Sequence, residues 1–314
     1  VVLSCSTCWN AHRHREGEDI LSELESLGFR HVELSHGLRM SQITGITKYL
    51  EKKSLRVSSL HNFCPQPIEV LHDSPDCLEY TSYDPAERRR AVKITKETIH
   101  FASRVGAPVV VLHLGSLPHS PFEDRLAEMA KGGLLHEKKA INLKLDALRK
   151  RAKSAHLFWD RIHSCLQEIV PFAQEKKIRL GVECRSSALD FPMEDEFDFL
   201  WGKYPPETVG YWHDFGHMQR KHNLLLGNHW EALSKQRGRI FGAHVHDTVF
   251  PVRDHRAVGT GSIDWPLLLQ AVPSNLTWVL ELSPRATVED VRVSAEKLSQ
   301  WLTESSKKEI SCKI

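Results

Sequence analysis

The chain has 314 residues, 41% hydrophobic and 26% charged. This excludes a disordered or low-complexity protein and allows a large buried core. The 42 basic and 40 acidic residues leave a charge of +2, which weighs against a nucleic-acid partner, and no stretch approaches the ~20 apolar residues of a membrane span. Seven scattered cysteines, an odd number, fit free thiols in a reducing compartment, so a cytoplasmic protein is expected. The first residues lack the charged start and apolar run of a signal peptide.

Strand-like and helix-like segments alternate almost without a break. Residues 1–7 read as a strand, 18–27 as an amphipathic helix closed by Gly28, 29–35 as a strand, 41–52 as a helix and 55–61 as a strand. A loop over 62–84, with Pro65, Pro67 and Pro75, leads to a helix at 85–105. Residues 107–114, APVVVLHL, are the most apolar run and read as a doubly buried strand. A charged helical insertion over 117–155 follows, then a separate helix to 177. Next come strand 178–184, helix 194–201, strand 208–214, helix 228–236, strand 240–246, helix 266–271, strand 276–282 and helix 288–302.

Eight strand–helix pairs predict an α/β fold, a single (β/α)₈ barrel over 1–305 with a helical insertion after the fourth strand and a tail at 306–314. A doubly wound open sheet is the alternative. Gly259-x-Gly261 lacks the third glycine of a dinucleotide fingerprint. The basic run Lys138, Lys139, Lys144, Arg149, Lys150, Arg151 and Lys153 reads as a solvated helix face balanced by Glu137 and Asp146.

Histidine is over-represented, 19 in 314. In a barrel, chemistry sits at the C-terminal ends of the strands, and that is where the histidines and acids cluster. The second strand carries Glu33, with His36 just beyond; His61 ends the third, His113 the fourth and Glu183 the fifth. The sixth ends in Asp214 and then His217, the seventh in His244, His246 and Asp247, and the eighth in Glu281. Acids at the ends of apolar strands are costly to bury unless paired or bound to a cation. Glu183, Asp214, His244 and Glu281, from four successive strands, are the candidate ligands of one metal, and a mixed carboxylate–imidazole set suits Mn, Mg, Co, Fe or Zn. His61, His113, His217, His246 and His255 are candidate additional ligands or, for His61 and His113, substrate contacts. His244 and His246 share a strand face and compete for one ligand position. Phe63 and Trp212 are candidates for an apolar wall against a sugar face; the alternative packs Phe63 beneath the proline-containing loop. Cys64 is expected to be inert, and Cys5-x-x-Cys8 stands alone without a second CxxC.

The segments GFRHVELS, LHLGS, GVECR, HDFGH, HVHD, VGTGSIDW and LELS, spread in order from residue 28 to residue 282, resemble the xylose-isomerase-like TIM-barrel superfamily. It groups sugar and sugar-phosphate isomerases and epimerases with endonuclease IV, the AP endonuclease family 2. The resemblance implies that Glu183, Asp214, His244 and Glu281 bind the shared catalytic metal. Glu183 and Glu281 would flank a small carbohydrate, one taking the proton beside the carbonyl and the other returning one through a metal-stabilised enediolate. His217 would bond a substrate oxygen, and Arg253 or Arg256 would hold distal hydroxyls or a phosphate.

Endonuclease IV-like phosphodiester hydrolysis is the rival reading. There His61 and His113 match ligands of an additional zinc, and His217 and His255 those of a third, for two or three zinc ions in all. The chain departs from that pattern at Arg253, where an acid is expected. A metal-assisted lyase or deglycosylase of a keto-sugar would use the same enolate chemistry. A non-catalytic barrel is disfavoured by the intact four-residue set. The insertion fits a lid or a contact in a homo-oligomer.

Overall fold

Eight parallel strands close on themselves: β1 (Val2–Ser6), β2 (His31–Leu34), β3 (Arg56–His61), β4 (Val109–Leu112), β5 (Arg179–Glu183), β6 (Val209–Asp214), β7 (Ile240–Val245) and β10 (Thr277–Leu280), with β10 pairing back onto β1. The computed structural model describes residues 2–52, 54–70, 74–273 and 276–311. Helices α1 (Gly17–Ser26), α2 (Met40–Leu50), α3 (Pro85–Val105), α5 (Lys138–Glu175), α6 (Phe197–Trp201), α8 (His229–Gln236), α9 (Trp265–Leu268) and α10 (Val288–Ser311) connect the strands. The expected (β/α)₈ barrel is therefore the observed fold. No helix among the described residues is long and apolar enough to cross a membrane.

Period-2 alternation sorts each strand into two faces. On β4, Val110 and Leu112 pack outward into the main core, whereas Val109 and Val111 face the barrel interior with Trp212 and Val279. The same parity carries on to His113, Asp214 and Glu281 at the C-terminal rim. Gly181 and Gly242 make room for the Trp212 indole: a Cβ on Gly242 would lie 2.4 Å from Cζ3 of that ring. Trp212 is thus a fully buried plug beneath the rim.

Local signals set several helix ends. Asp84 caps α3, its Oδ1 accepting from the Ala86 N–H at 2.8 Å, with Pro85 in the first turn. Gly106 then closes the helix at φ +74°.

Five features differ from the sequence reading. The break expected at 155 is absent, because α5 runs unbroken over 38 residues. The first part of the insertion is α4 (Phe122–Lys131), which packs with α5 around Phe122, Leu126 and Ala140. Within the basic run, Arg151 is buried rather than solvated. Its guanidinium forms a two-pronged ion pair with Glu196 and donates to the Ala188 and Asp190 carbonyls. A helix the hydrophobic pattern did not reveal, α7 (Phe215–Asn223), follows β6 directly, and β8 (Asp247–Val249) with β9 (Arg253–Arg256) forms a small antiparallel ribbon after β7. The expected tail is helical as far as Ser311; its last three residues, and Val1, lie outside the described residues.

Candidate metal centre

A cavity of about 370 Å³ opens at the C-terminal mouth of the barrel. His61, His113, Glu183, His217, His255 and Glu281 line it, together with Arg185 and Arg220. At its floor the side chains converge. His244 Nδ1 lies 3.4 Å from Glu183 Oε2, 3.4 Å from Glu281 Oε2 and 3.8 Å from Asp214 Oδ2. His217 Nδ1 lies 3.0 Å from Glu183 Oε1 and 3.3 Å from Asp214 Oδ2. Yet Glu183 Oε1, His217 Nδ1 and His244 Nδ1 are buried and make no hydrogen bond to the protein. Buried polar atoms normally find partners. Glu183, Asp214 and His244 also bring ligand atoms within 4.8 Å of one another, the spacing that donors to one metal show. Oxygen and imidazole nitrogen donors together suit a divalent cation.

Surrounding residues fix these donors. The Asp214 carboxylate caps α7, Oδ1 accepting from the His217 N–H at 2.7 Å, so strand end and helix start are locked together. Glu33 Oε2 lies 3.1 Å from His244 Nε2 and accepts from the Ser59 hydroxyl at 2.8 Å. A carboxylate on the far nitrogen orients the ring and points Nδ1 into the cluster. His246 Nε2 is 3.1 Å from Asp214, while its Nδ1 accepts from the His255 N–H at 2.9 Å. Asp247 faces away and gathers the GTGSIDW loop, its carboxylate accepting from the N–H groups of Thr248, Gly259 and Ile263 and from the Trp265 indole.

The electrostatics are those of crowded carboxylates offset by imidazoles. Burial would raise Glu183, but the His113 and His244 imidazoles beside it hold it well below the usual range. Asp214 is lowered in the same way, with burial outweighed by His217 and His246. Glu281 is pushed up to about 7, chiefly by burial and by Glu183 and Glu33, with His244 opposing. Burial would lower His244, yet Glu281, Glu33 and Glu183 keep it well above normal. His246, also buried, is carried to about 9 by Asp214. Burial and the charge on His246 push His255 down to about 3.

Glu183, Asp214, His244 and Glu281 thus meet as the sequence suggested. His61 and His113 also join, each placing Nε2 near Glu183 Oε2, at 3.3 and 3.1 Å. His217, His246 and His255 bring nitrogens within 4.8 Å of one another. His244 reaches Glu183, Asp214 and Glu281, while His246 stands at ligand spacing from Asp214 and Glu281. Arg253 and Arg256 stand on β9 and do not line the cavity, where their neighbours Asp254 and His255 do. The arginines that line it are Arg185 and Arg220, the latter bound to Asp254 at 2.7 Å. Neither Phe63 nor Trp212 forms a wall. Phe63 is buried in the main core, and the Trp212 ring supports His244 edge-on from below at 5.3 Å.

Sequence reading missed Arg185 and Asp76, and it placed Glu33 at the rim without a role. Glu33 had a signal, an acid inside the apolar run HVEL. Arg185 stands two residues past Glu183, and its partner Asp76 comes from the loop after β3; nothing in the sequence joins them. Cys5, Cys8, Cys64, Cys165 and Cys184 are free thiols. Burial pushes the Cys184 thiol up to about 12 and raises Cys64 further still.

A family model described as xylose isomerase-like TIM barrel matches residues 21–301. Among solved structures, a D-tagatose 3-epimerase-like protein superposes with a TM-score of 0.70 at 16% identity, covering 98% of this chain and 99% of that one. An L-ribulose 3-epimerase gives 0.69 at 16% identity over 99% and 98%. The IolI protein, crystallised with a zinc atom, gives 0.64 at 13% identity over 97% and 99%.

Proposed function

This chain belongs to the xylose isomerase-like TIM-barrel family, and from that premise we propose that it is a metal-dependent isomerase or epimerase of a small sugar or keto-sugar. One observation carries the reading: Glu183, Asp214 and His244 bring ligand atoms within 4.8 Å of one another, with Glu183 Oε1 and His244 Nδ1 buried and free of hydrogen bonds, at the floor of a sugar-sized cavity. Glu183, Asp214, His244 and Glu281 would hold one divalent cation. When bound, it supplies positive charge for the oxyanion that builds up as a carbon beside a carbonyl loses its proton.

The chain's own residues do the rest. Glu183 and Glu281 rise from β5 and from the end of β10, on different sides of the cluster. One carboxylate takes the proton and the other returns one, which inverts a carbon or moves the carbonyl. Glu33 keeps the His244 ring oriented. His217, at the cavity edge and pinned by its backbone bond to Asp214, is placed to hydrogen-bond the substrate oxygen. The structural likeness to sugar epimerases supports the substrate class. The test is proton exchange: the manganese-loaded protein is incubated with a panel of ketoses and keto-glycosides in deuterated water and followed by NMR. Deuterium entering the carbon beside the carbonyl, lost in Glu183→Gln, supports the proposal. No exchange with any member of the panel, together with elimination of the glycosyl group, would replace it with a lyase.

A second reading has its own observation. His61, His113 and Glu183 form one further group with metal-ligand spacing, and His217, His246 and His255 form another. Filled with zinc, these would make a multinuclear phosphodiesterase of the endonuclease IV kind. Cleavage of abasic-site DNA by the zinc-loaded protein would favour it.

A further inference from the structure

The group formed by His61, His113 and Glu183 has a neighbour that decides what it can hold. Arg185 lines the same cavity, and its side chain is only 13% exposed. Its Nη1 donates to His113 Nε2 at 2.7 Å, and its Nη2 donates to Asp76 Oδ2 at 2.7 Å. Asp76 Oδ1 lies 2.8 Å from His113 Nδ1, which donates to it. Arginine, aspartate and histidine therefore close a ring of three hydrogen bonds.

Two consequences follow from the chemistry of the partners. Guanidinium cannot accept a hydrogen bond, so His113 Nε2 offers it a lone pair, the same lone pair a metal would need. The tautomer is set from the other side, because the Nδ1 proton is committed to Asp76. In addition, Nη1 lies 4.0 Å from Glu183 Oε1, so a fixed positive charge already stands beside the imidazole and the carboxylate. His113 Nε2 and Glu183 Oε2, 3.1 Å apart, would otherwise face each other as two acceptors. A dication at the same point would meet this guanidinium within a few ångströms in a buried place, where repulsion is poorly screened.

We propose that Arg185 is the residue that keeps this centre to a single metal: anchored by Asp76, its guanidinium fills the second cation position framed by His61, His113 and Glu183. The inference rests on the single-metal reading above and adds what enforces it. It also bears on substrate choice. Two-metal clamps suit in-line displacement at phosphodiesters, whereas one metal beside a rigid hydrogen-bond donor suits a carbonyl with an adjacent hydroxyl. In that role Arg185 is a positioning residue for His113.

The test is metal stoichiometry of the full chain. Wild type, Arg185→Met and Arg185→Lys are stripped with chelator, dialysed against excess zinc, freed of loose metal and measured by elemental analysis. The expected contents are one zinc per chain in wild type, two in Arg185→Met, and one in Arg185→Lys, which restores the charge. Adding His113→Ala to Arg185→Met should return the count to one. Cobalt absorption gives a second readout, the Met variant showing an extra saturable phase of d–d intensity. One metal in both wild type and Arg185→Met overturns the inference and leaves the proposed function standing. Two in wild type overturns it together with the single-metal reading, and none in wild type removes the metal-dependent function itself. Should Arg185→Met not fold, Asp76→Asn, which frees the guanidinium, is expected to raise second-site zinc occupancy at least tenfold at fixed free zinc. Unchanged occupancy there refutes the inference.

Discussion

Loading a cation onto Glu183, Asp214, His244 and Glu281 must expel protons, and the structure sets how many. Before metal binds, two of these ligands carry protons near neutrality. His244 is held well above its ordinary value: burial opposes protonation, but Glu281, Glu33 and Glu183 outweigh it. Glu281 is raised to about 7 by burial and the neighbouring carboxylates, against the pull of His244. At pH 7, Glu281 is half protonated and His244, held well above its ordinary value, carries a proton, so metal binding should release more than one proton per ion. The number should rise as pH falls through 7 and Glu281 gains its proton. Apparent affinity should therefore rise by about tenfold or more between pH 6.5 and 7.5. Calorimetric titration of manganese into chelator-stripped protein, repeated in buffers of different ionisation heat, reads the proton number directly. Release below about half a proton at pH 7, or a number that does not rise as pH falls, would refute the ligand assignment. Release above about 2.5 would bring in His246 and support more than one metal.

Three further outcomes follow from the same geometry. Glu33→Gln removes the carboxylate that orients His244 without touching the cavity. It should weaken metal binding about 10- to 100-fold, read by competition with a chromophoric chelator; unchanged affinity would mean that His244 is held in place by packing alone. Asp247→Ala removes four hydrogen bonds to one buried carboxylate, three of them from the loop over 258–265 and one from the Thr248 N–H, and should cost about 3–5 kcal/mol in urea unfolding. A loss under about 1 kcal/mol would show that the loop holds itself. Acid should act through the buried pair His213 and His229, whose Nε2 atoms are 3.0 Å apart. Burial pushes His213 down to about 3, Asp214 opposing; burial and the charge on His213 hold His229 well below its normal value. Both histidines take up protons more readily when unfolded, so the stability they contribute is complete above about pH 6.5 and is lost as pH falls towards their folded values. His229→Gln should remove about 2 kcal/mol of the fall in unfolding free energy between pH 7 and pH 5 in metal-free protein. An equal fall in wild type and variant would contradict it.

The barrel was legible because its strands are short apolar runs ended by polar residues, and the inward parity of each run carries directly to its terminal His, Asp or Glu. That is why Glu183, Asp214, His244 and Glu281 could be placed together from sequence. Parity could not give depth. Trp212 faces inward like Asp214 but sits one layer lower, where Gly181 and Gly242 admit its ring. Nor could it separate His244 from His246, which share a face and diverge only once the strand ends. Helix α7 escaped notice because Phe215, His217, Gln219, Lys221 and Asn223 are all buried, so its polar residues leave no apolar stripe to read. Arg151 was misread for a related reason: a charge run shows no sign of which member finds a buried partner, here Glu196. Arg185 and Asp76 are 109 positions apart, and only the closed barrel brings them to the same histidine.

The most direct test of the central claim is metal content per chain, measured by elemental analysis on protein purified without added metal or chelator, beside the Glu183→Gln/Glu281→Gln double variant. One divalent ion in the wild type and none in the variant is the predicted result. No metal in the wild type, or the same content in both, would contradict the assignment of these four side chains as its ligands.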